Sequence, residues 1–375
     1  MKLIVNRKAF SETLGLAAAV APNSTPKDIL KYVHLAAGPD GVSLTATDQE
    51  IGIKADVDPA ACEISEPGST LLPTKRVQQM VRETTDETIV LNAEGKKGRL
   101  TFKGAHAEFA LSVPDVEEFP LGNYEIGPAH RTLKAADLRR LIAHTVFATD
   151  VESTRYALGG VLVNFEGTTC TLAATDSRRL AVDSGPCETV GEIPEPSGES
   201  PVIPAKGMDI LARTLGATDA RVDLRKHDVL IDCGQATVYT RLVEGRFPRW
   251  QDVIPKEFNA ELELIAGPLH AVVRQAMIVT SEESRGVDFT FEPDGRLVLK
   301  SVSADVGTSE VELPISYSGP QLMATFDPRF IAEFLKVLNP EDLLTWKLID
   351  GESAALLSAG DSYRYVIMPL SREGR

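Results

Sequence analysis

The amino-acid sequence predicts an α+β protein built from three copies of one unit. Three observations carry this. An amphipathic helical segment opens each third of the chain, alternating hairpin-like runs follow it, and a second helix led by proline comes next.

The opening helices are predicted over residues 7–21, 135–149 and 267–280. In the second, Leu138, Leu141, Ile142, Thr145 and Val146 fall at i, i+3, i+4, i+7 and i+8, one buried stripe of an α-helix. Leu269, Val272, Val273, Ala276 and Met277 repeat the stripe 131 positions later. The first copy is looser, with Phe10, Leu14, Ala17 and Ala18.

The hairpins follow the same order. Residues 32–35, a Gly-Pro-Asp-Gly turn from Gly38 to Gly41, and residues 42–48 make the first. Residues 158–163 and 172–176 make the second, and residues 287–291, a turn at 292–295 and residues 297–299 the third. Pro73, Pro204 and Pro328 introduce the second helices, where a missing N–H costs little. Glu118-Phe119-Pro120 and Arg246-Phe247-Pro248 close the first two units alike, 128 positions apart. The units are expected at residues 1–125, 126–254 and 255–375, with no Gly/Ser linker between them.

Composition is that of a globular protein, 43% apolar and 25% charged, which excludes long disorder. The first residues read as a strand rather than a signal peptide. The longest small-apolar run, Leu14 to Ala21, falls well short of the roughly 20 residues that span a bilayer. Cys62, Cys170, Cys187 and Cys233 lie far apart without a CxxC pair, so neither a disulfide framework nor a metal site is expected, and the cytoplasm is the natural compartment.

A net charge of −15 argues against nucleic acid only if the cations are scattered. They are not. Lys75 and Arg82, Lys206 and Arg213, and Arg329 and Lys336 recur seven residues apart in the three second helices. Seven residues is two turns, so each pair shares a face. One such pair fits a solvated surface; three in register fit a wall for phosphate backbones, contacted without reading sequence. No aromatic-interleaved basic run, recognition helix or zinc-finger pattern is present.

Several segments sharpen this reading. Residues 155–160 (Arg155 to Gly160), 174–181 (Ala174 to Ala181), 242–248 (Leu242 to Pro248) and 365–370 (Tyr365 to Leu370) are individually short, but stand together in order and correctly spaced. With the repeats they make the chain resemble, over essentially its whole length, the β subunit of bacterial DNA polymerase III. The resemblance implies three DNA-clamp domains per chain, helices lining the inner face, antiparallel sheets outside, and a head-to-tail dimeric ring. It implies a sliding clamp that encircles double-stranded DNA, acts as a non-catalytic processivity factor and needs no cofactor. Its implied partners are the DNA polymerase III catalytic subunit, the clamp loader, and other polymerases and repair proteins.

The resemblance also implies sites. The homodimer interface would pair Phe109 and Leu111 of one copy with Ile278 and Val279 of the other, four residues that equally fit their domain cores. A hydrophobic pocket for partner peptides would involve Leu158, Thr175, Arg179, Leu180, Pro248, Val253, Val366, Met368, Pro369 and Leu370. Read without the resemblance, most of these look like core. The chain departs from the family pattern at Asn23–Lys27, where Lys27 or Lys31 would take over a DNA contact. It departs again at Ser177-Arg178, in place of a commoner glycine-histidine pair, and in the tail Ser371–Arg375.

An enzyme is disfavoured. The sequence has no GxxxxGK[ST], GxGxxG, HExxH or GxSxG motif. Its six histidines (His34, His106, His130, His144, His227 and His270) lack metal-ligand spacing. Asp56 and Asp58, Glu117 and Glu118, and Glu282 and Glu283 read as surface charge. The other non-enzymatic reading is a repeat-built interaction scaffold that never encloses DNA.

Overall fold

The structure, a computed structural model, describes residues 1–94, 98–150, 152, 157–193, 201–281 and 285–371. Arg155 and Tyr156 of the family-like segment, the pair Glu282-Glu283 and tail residues 372–375 lie outside the described residues.

All six predicted helices form. They are α1 (Arg7–Val20), α2 (Thr74–Glu83), α3 (Ala135–Thr145), α4 (Ala205–Thr214), α5 (Ala266–Ala276) and α6 (Pro328–Lys336). Short 3₁₀ turns, Val146–Ala148 and Met277–Val279, extend α3 and α5 to within one residue of their predicted ends. Local chemistry fixes the starts. The Asn6 side chain accepts from the Lys8 and Ala9 amides at α1, and the Asp327 side chain accepts from the Arg329 amide at α6, where Pro328 needs no partner. The stripes point inward as their period requires. Leu138, Leu141, Ile142 and Thr145 are buried, as are Leu269, Val272, Val273 and Ala276.

The chain divides into two compact units, Met1–Arg139 with Cys187–Glu195 and Lys206–Leu242, and Arg140–Pro186 with Pro196–Ala205 and Val243–Arg375. Both cut through the middle repeat. The reason lies in the sheets, where strands of one repeat pair with strands of the next.

In the first unit a nine-stranded sheet carries this continuity. Strand Ala236–Arg241 of the middle repeat pairs antiparallel with Ile51–Val57 of the first, from Ala236 opposite Ala55 to Thr240 opposite Ile51. A five-stranded sheet in the same unit ends on strand Glu108–Val113. One core joins them: α1 contributes Phe10, Leu14 and Ala17, α2 contributes Val77 and Val81, and Ile210 arrives from α4. Each of the larger of these side chains stabilises the fold by about 1.5–3 kcal/mol when fully buried.

The second unit repeats the plan. In its eight-stranded sheet, Tyr363–Ile367 of the third repeat pairs antiparallel with Arg179–Pro186 of the middle one. A four-stranded sheet ends on strand Gly307–Pro314. Its core centres on the fully buried Trp346, whose ring lies 5.6, 5.5 and 5.8 Å from those of Phe289, Phe291 and Phe326.

Candidate functional site

The same tight turn is built twice. Thr47 and Thr175 donate their hydroxyls to the carbonyls of Ile51 and Arg179, at 2.9 and 2.6 Å. Asp48 Oδ1 accepts from the Glu50 and Ile51 amides, and Asp176 Oδ1 from the Arg178 and Arg179 amides. The third turn residue is left-handed in both, Gln49 at φ 79° and Ser177 at φ 73°. Side chains that bond their own backbone stabilise a turn without a sheet ladder.

Charges on these turns reach the second helix of the next repeat. Asp48 pairs with Lys206 at the start of α4. In the other unit Arg179 pairs with Glu333 of α6, and its Nε also donates to Asp176 at 2.9 Å. The Arg179 guanidinium lies 4.3 Å from the Phe330 ring centroid and 5.4 Å from that of Phe147, whose carbonyl accepts from Nη2 at 2.7 Å. At 8% exposure Arg179 is a satisfied, buried cation rather than a solvent-facing one.

The other residues expected in a peptide site split into a buried set and an exposed set. Leu158, Thr175, Leu180 and Val366 are buried. Leu180 and Val366 belong to a cluster with Phe247 and Leu356, against which Val243, Trp250, Ile254 and Phe258 pack. Val253 and Met368 are 53% and 46% exposed, Pro248 is exposed, and Pro369 and Leu370 are half-buried. The Met368 amide donates to the Arg178 carbonyl at 2.9 Å and the Leu370 amide to the Thr325 carbonyl at 2.7 Å, so backbone bonds fix this C-terminal segment.

The four expected interface residues lie at the open ends of the sheets. Phe109 and Leu111 sit on the edge strand Glu108–Val113, and Phe109 is 37% exposed although it packs edge-on to Phe102. Ile278 and Val279 lie in the 3₁₀ turn beside the edge strand Gly307–Pro314; Ile278 is 77% exposed and Val279 half-buried. Neither edge strand has a fully buried residue. Their counterparts Ala236–Arg241, Ile51–Val57, Arg179–Pro186 and Tyr363–Ile367, each paired across a junction, are largely buried on the inward side.

The basic pairs are unequal. Lys75, Arg82, Arg213 and Lys336 are exposed, and Arg82 bonds the neighbouring Glu83. Lys206 is held by Asp48, Arg329 by Asp327, and Lys27 donates to Gln49 Oε1 at 2.7 Å. Lys31 pairs with Asp28. Among the described residues no group of three or more His, Cys, Asp or Glu is placed to hold a metal ion, and no helix is long and apolar enough to cross a membrane.

Sequence profiles of the DNA polymerase III beta subunit match residues 1–124 as its N-terminal domain, 132–249 as its central domain and 251–371 as its C-terminal domain. The chain belongs to the DNA polymerase III beta subunit family. It is 27% identical over 372 residues to the beta sliding clamp of Chlamydia muridarum, covering 99% of both chains. It is likewise 27% identical over 377 residues to that of Pseudomonas aeruginosa, covering 99% and 100%. The crystal structure of the Pseudomonas aeruginosa DNA polymerase III subunit beta superposes with a TM-score of 0.87 at 26% identity, over 99% and 100% of the two chains. The DNA polymerase sliding clamp of Bacillus subtilis shares the fold, with a TM-score of 0.89 at 23% identity over 99% of each chain.

Membership in this beta subunit family fixes the fold as three repeated clamp domains of helices and antiparallel sheets. It makes the chain a sliding clamp, a processivity factor and not an enzyme, and favours this reading over an open scaffold. Sequence reasoning missed Glu333, Phe330 and Phe147, which house Arg179, and Asp48, which engages Lys206. The recurring Thr-Asp pairs 47–48 and 175–176 were the one visible signal, and they mark the turns rather than their partners.

Proposed function

We propose that two copies of this clamp close head to tail into a ring around duplex DNA, the helices facing the duplex. What supports the reading is the pair of open edges. Each junction within the chain joins the last strand of one repeat's set to the edge of the preceding repeat's set, Ala236–Arg241 on Ile51–Val57 and Tyr363–Ile367 on Arg179–Pro186. By the same rule Glu108–Val113 pairs antiparallel with Gly307–Pro314 of a second copy. Phe109 and Leu111 then cover Ile278 and Val279. A head-to-tail contact that repeats until the rotation closes gives a ring in which these two edges are covered.

On this reading the domains are residues 1–125, 126–254 and 255–375. Lys75, Arg82, Lys206, Arg213, Arg329, Lys336 and Lys27 face the phosphates and make contacts too weak to halt sliding. The cluster of Leu158, Thr175, Arg179, Leu180, Pro248, Val253, Val366, Met368, Pro369 and Leu370 receives a peptide from the DNA polymerase III catalytic subunit, the clamp loader, or other polymerases and repair proteins of the cytoplasm. A polymerase held there stays at high effective concentration beside the primer end.

The test is retention on DNA. Loaded by a clamp loader onto nicked circular DNA, the protein should stay bound at moderate salt and leave rapidly once the circle is linearised. Equal loss from circles and linear ends, with a known clamp retained in parallel, overturns the ring.

A further inference from the structure

The strand that leads into the first helix of each repeat is completed differently in the third. In the first repeat Lys2–Asn6 is covered on one side by the short antiparallel strand Cys62–Glu66, with Lys2 opposite Glu66. In the middle repeat Glu188–Val190 covers His130–Leu133 in the same way, with Thr132 opposite Glu188. In the third, Ala260–Ile265 pairs with Leu343–Leu348 on one side and, among the described residues, ends its sheet on the other. The segment at the covering strand's place in the repeat, residues 315–321, is drawn elsewhere. The Ile315 amide donates to the Gly295 carbonyl at 2.8 Å, the Tyr317 ring packs edge-on to Phe291 at 6.1 Å, and Gln321 Nε2 donates to Glu292.

The uncovered side presents a row of free backbone groups. The Ala266 amide donates to the Asp342 carbonyl at 3.0 Å, and ladder bonds alternate along an antiparallel strand. The amides and carbonyls of Glu261, Glu263 and Ile265 therefore point to the open edge. Their side chains are exposed as well. Ile265 stands opposite Leu343, at 51% and 54% exposure, which leaves an apolar pair at one end of the strand. Glu263 makes no ion pair among the described residues, and Glu261 meets Lys347 at 3.0 Å. The charge is reversed from the other repeats, where leading strands with Lys2 or Arg131 are covered by strands with Glu66 or Glu188. Opposite charges stabilise strands paired side by side, and like charges oppose the pairing.

We propose that this edge receives an extended, basic segment of a partner protein as an added antiparallel strand. Read from its N-terminus, that segment carries an apolar residue over Ile265 and Leu343, then lysine or arginine opposite Glu263 and Glu261. Backbone bonds hold it, and the alternate side chains select it. Two strands separate this edge from Tyr363–Ile367 in the same sheet, so the surface is distinct from the cluster around Met368.

Fluorescence anisotropy of the full-length protein tests this with labelled peptides centred on Val-Thr-Lys-Thr-Lys or on Val-Thr-Gln-Thr-Gln. At about 50 mM salt the lysine peptide should bind roughly 3- to 5-fold tighter, and the gap should close near 500 mM. N-methylation of its first lysine, whose amide bonds the edge, should abolish binding, whereas N-methylation of the following threonine should not. Glu263→Lys should reverse the preference in favour of a Val-Thr-Glu-Thr-Glu peptide, and Met368→Ser should change nothing. No binding of the lysine peptide at about 1 mM overturns the proposal and leaves the two glutamates as guards against pairing. Binding indifferent to N-methylation or to Glu263→Lys overturns it equally.

Discussion

Gln49 and Ser177 occupy the same left-handed position of the same turn, 128 residues apart, at φ 79° and 73°. Both amides donate to the threonine hydroxyl two residues earlier, at 2.9 and 3.1 Å. A strained backbone angle kept in two repeats marks a turn whose shape the surrounding bonds impose.

A residue with a Cβ in this region costs about 1–2 kcal/mol, and glycine removes most of that strain. Ser177→Gly is therefore expected to stabilise the protein by about 0.5–1 kcal/mol once glycine's extra chain entropy is counted, and Ser177→Val to destabilise it. Urea unfolding of the two variants measures the difference.

His34 gives the stability a pH dependence. Its ring stacks 5.8 Å from that of Phe119, its Nδ1 has no hydrogen-bond partner among the described residues, and burial holds the imidazole below its ordinary pKa of 6.5. The unfolded chain then binds a proton at a pH where the folded one does not. This contribution is complete above about pH 6.5 and is lost as pH falls toward the folded value, by at most about 1.4 kcal/mol per pH unit. Urea midpoints at successive pH values should fall below that point for the unaltered protein and fall less for His34→Phe.

In the proposed ring the two covered edges make the dimer sensitive to single charges. Ile278→Glu or Phe109→Glu places a carboxylate where the second copy would cover apolar surface, costing about 3 kcal/mol or more of association. Sedimentation velocity should show monomers of unchanged helix content for either variant. A dimer of undiminished strength would move the interface elsewhere.

The cations proposed to face DNA should not contribute equally. Each phosphate contact adds about one unit to the salt slope of duplex binding. Lys75→Ala and Arg213→Ala should each lower that slope by about one unit, whereas Lys206→Ala should lower it less, because Asp48 already engages Lys206. Asp48→Asn should release the lysine and steepen the slope. Duplex affinity measured across a salt series reads all four.

Much of this was written in the sequence. The stripe from Leu138 to Thr145, the Gly-Pro-Asp-Gly turn at Gly38 and the proline starts are local signals with periods of 3.6 or 2, and local signals survive in a single chain. The basic spacing of Lys75 and Arg82 is local in the same way. Arg179 shows the limit. The sequence marks it as a cation in a family-like segment, yet Glu333, 154 residues away, and the rings of Phe147 and Phe330 make it a buried strut.

By itself the sequence determined three α+β repeats, their helices and hairpins, and a recurring basic register, since each follows from the order of apolar and charged residues along a few turns. Only the tertiary structure decided which strands bridge the repeats, that Glu108–Val113 and Gly307–Pro314 each end a sheet, and that Glu50 lies beside Arg241. These depend on pairings between residues far apart in the chain, and nothing in the local pattern of either partner specifies the other.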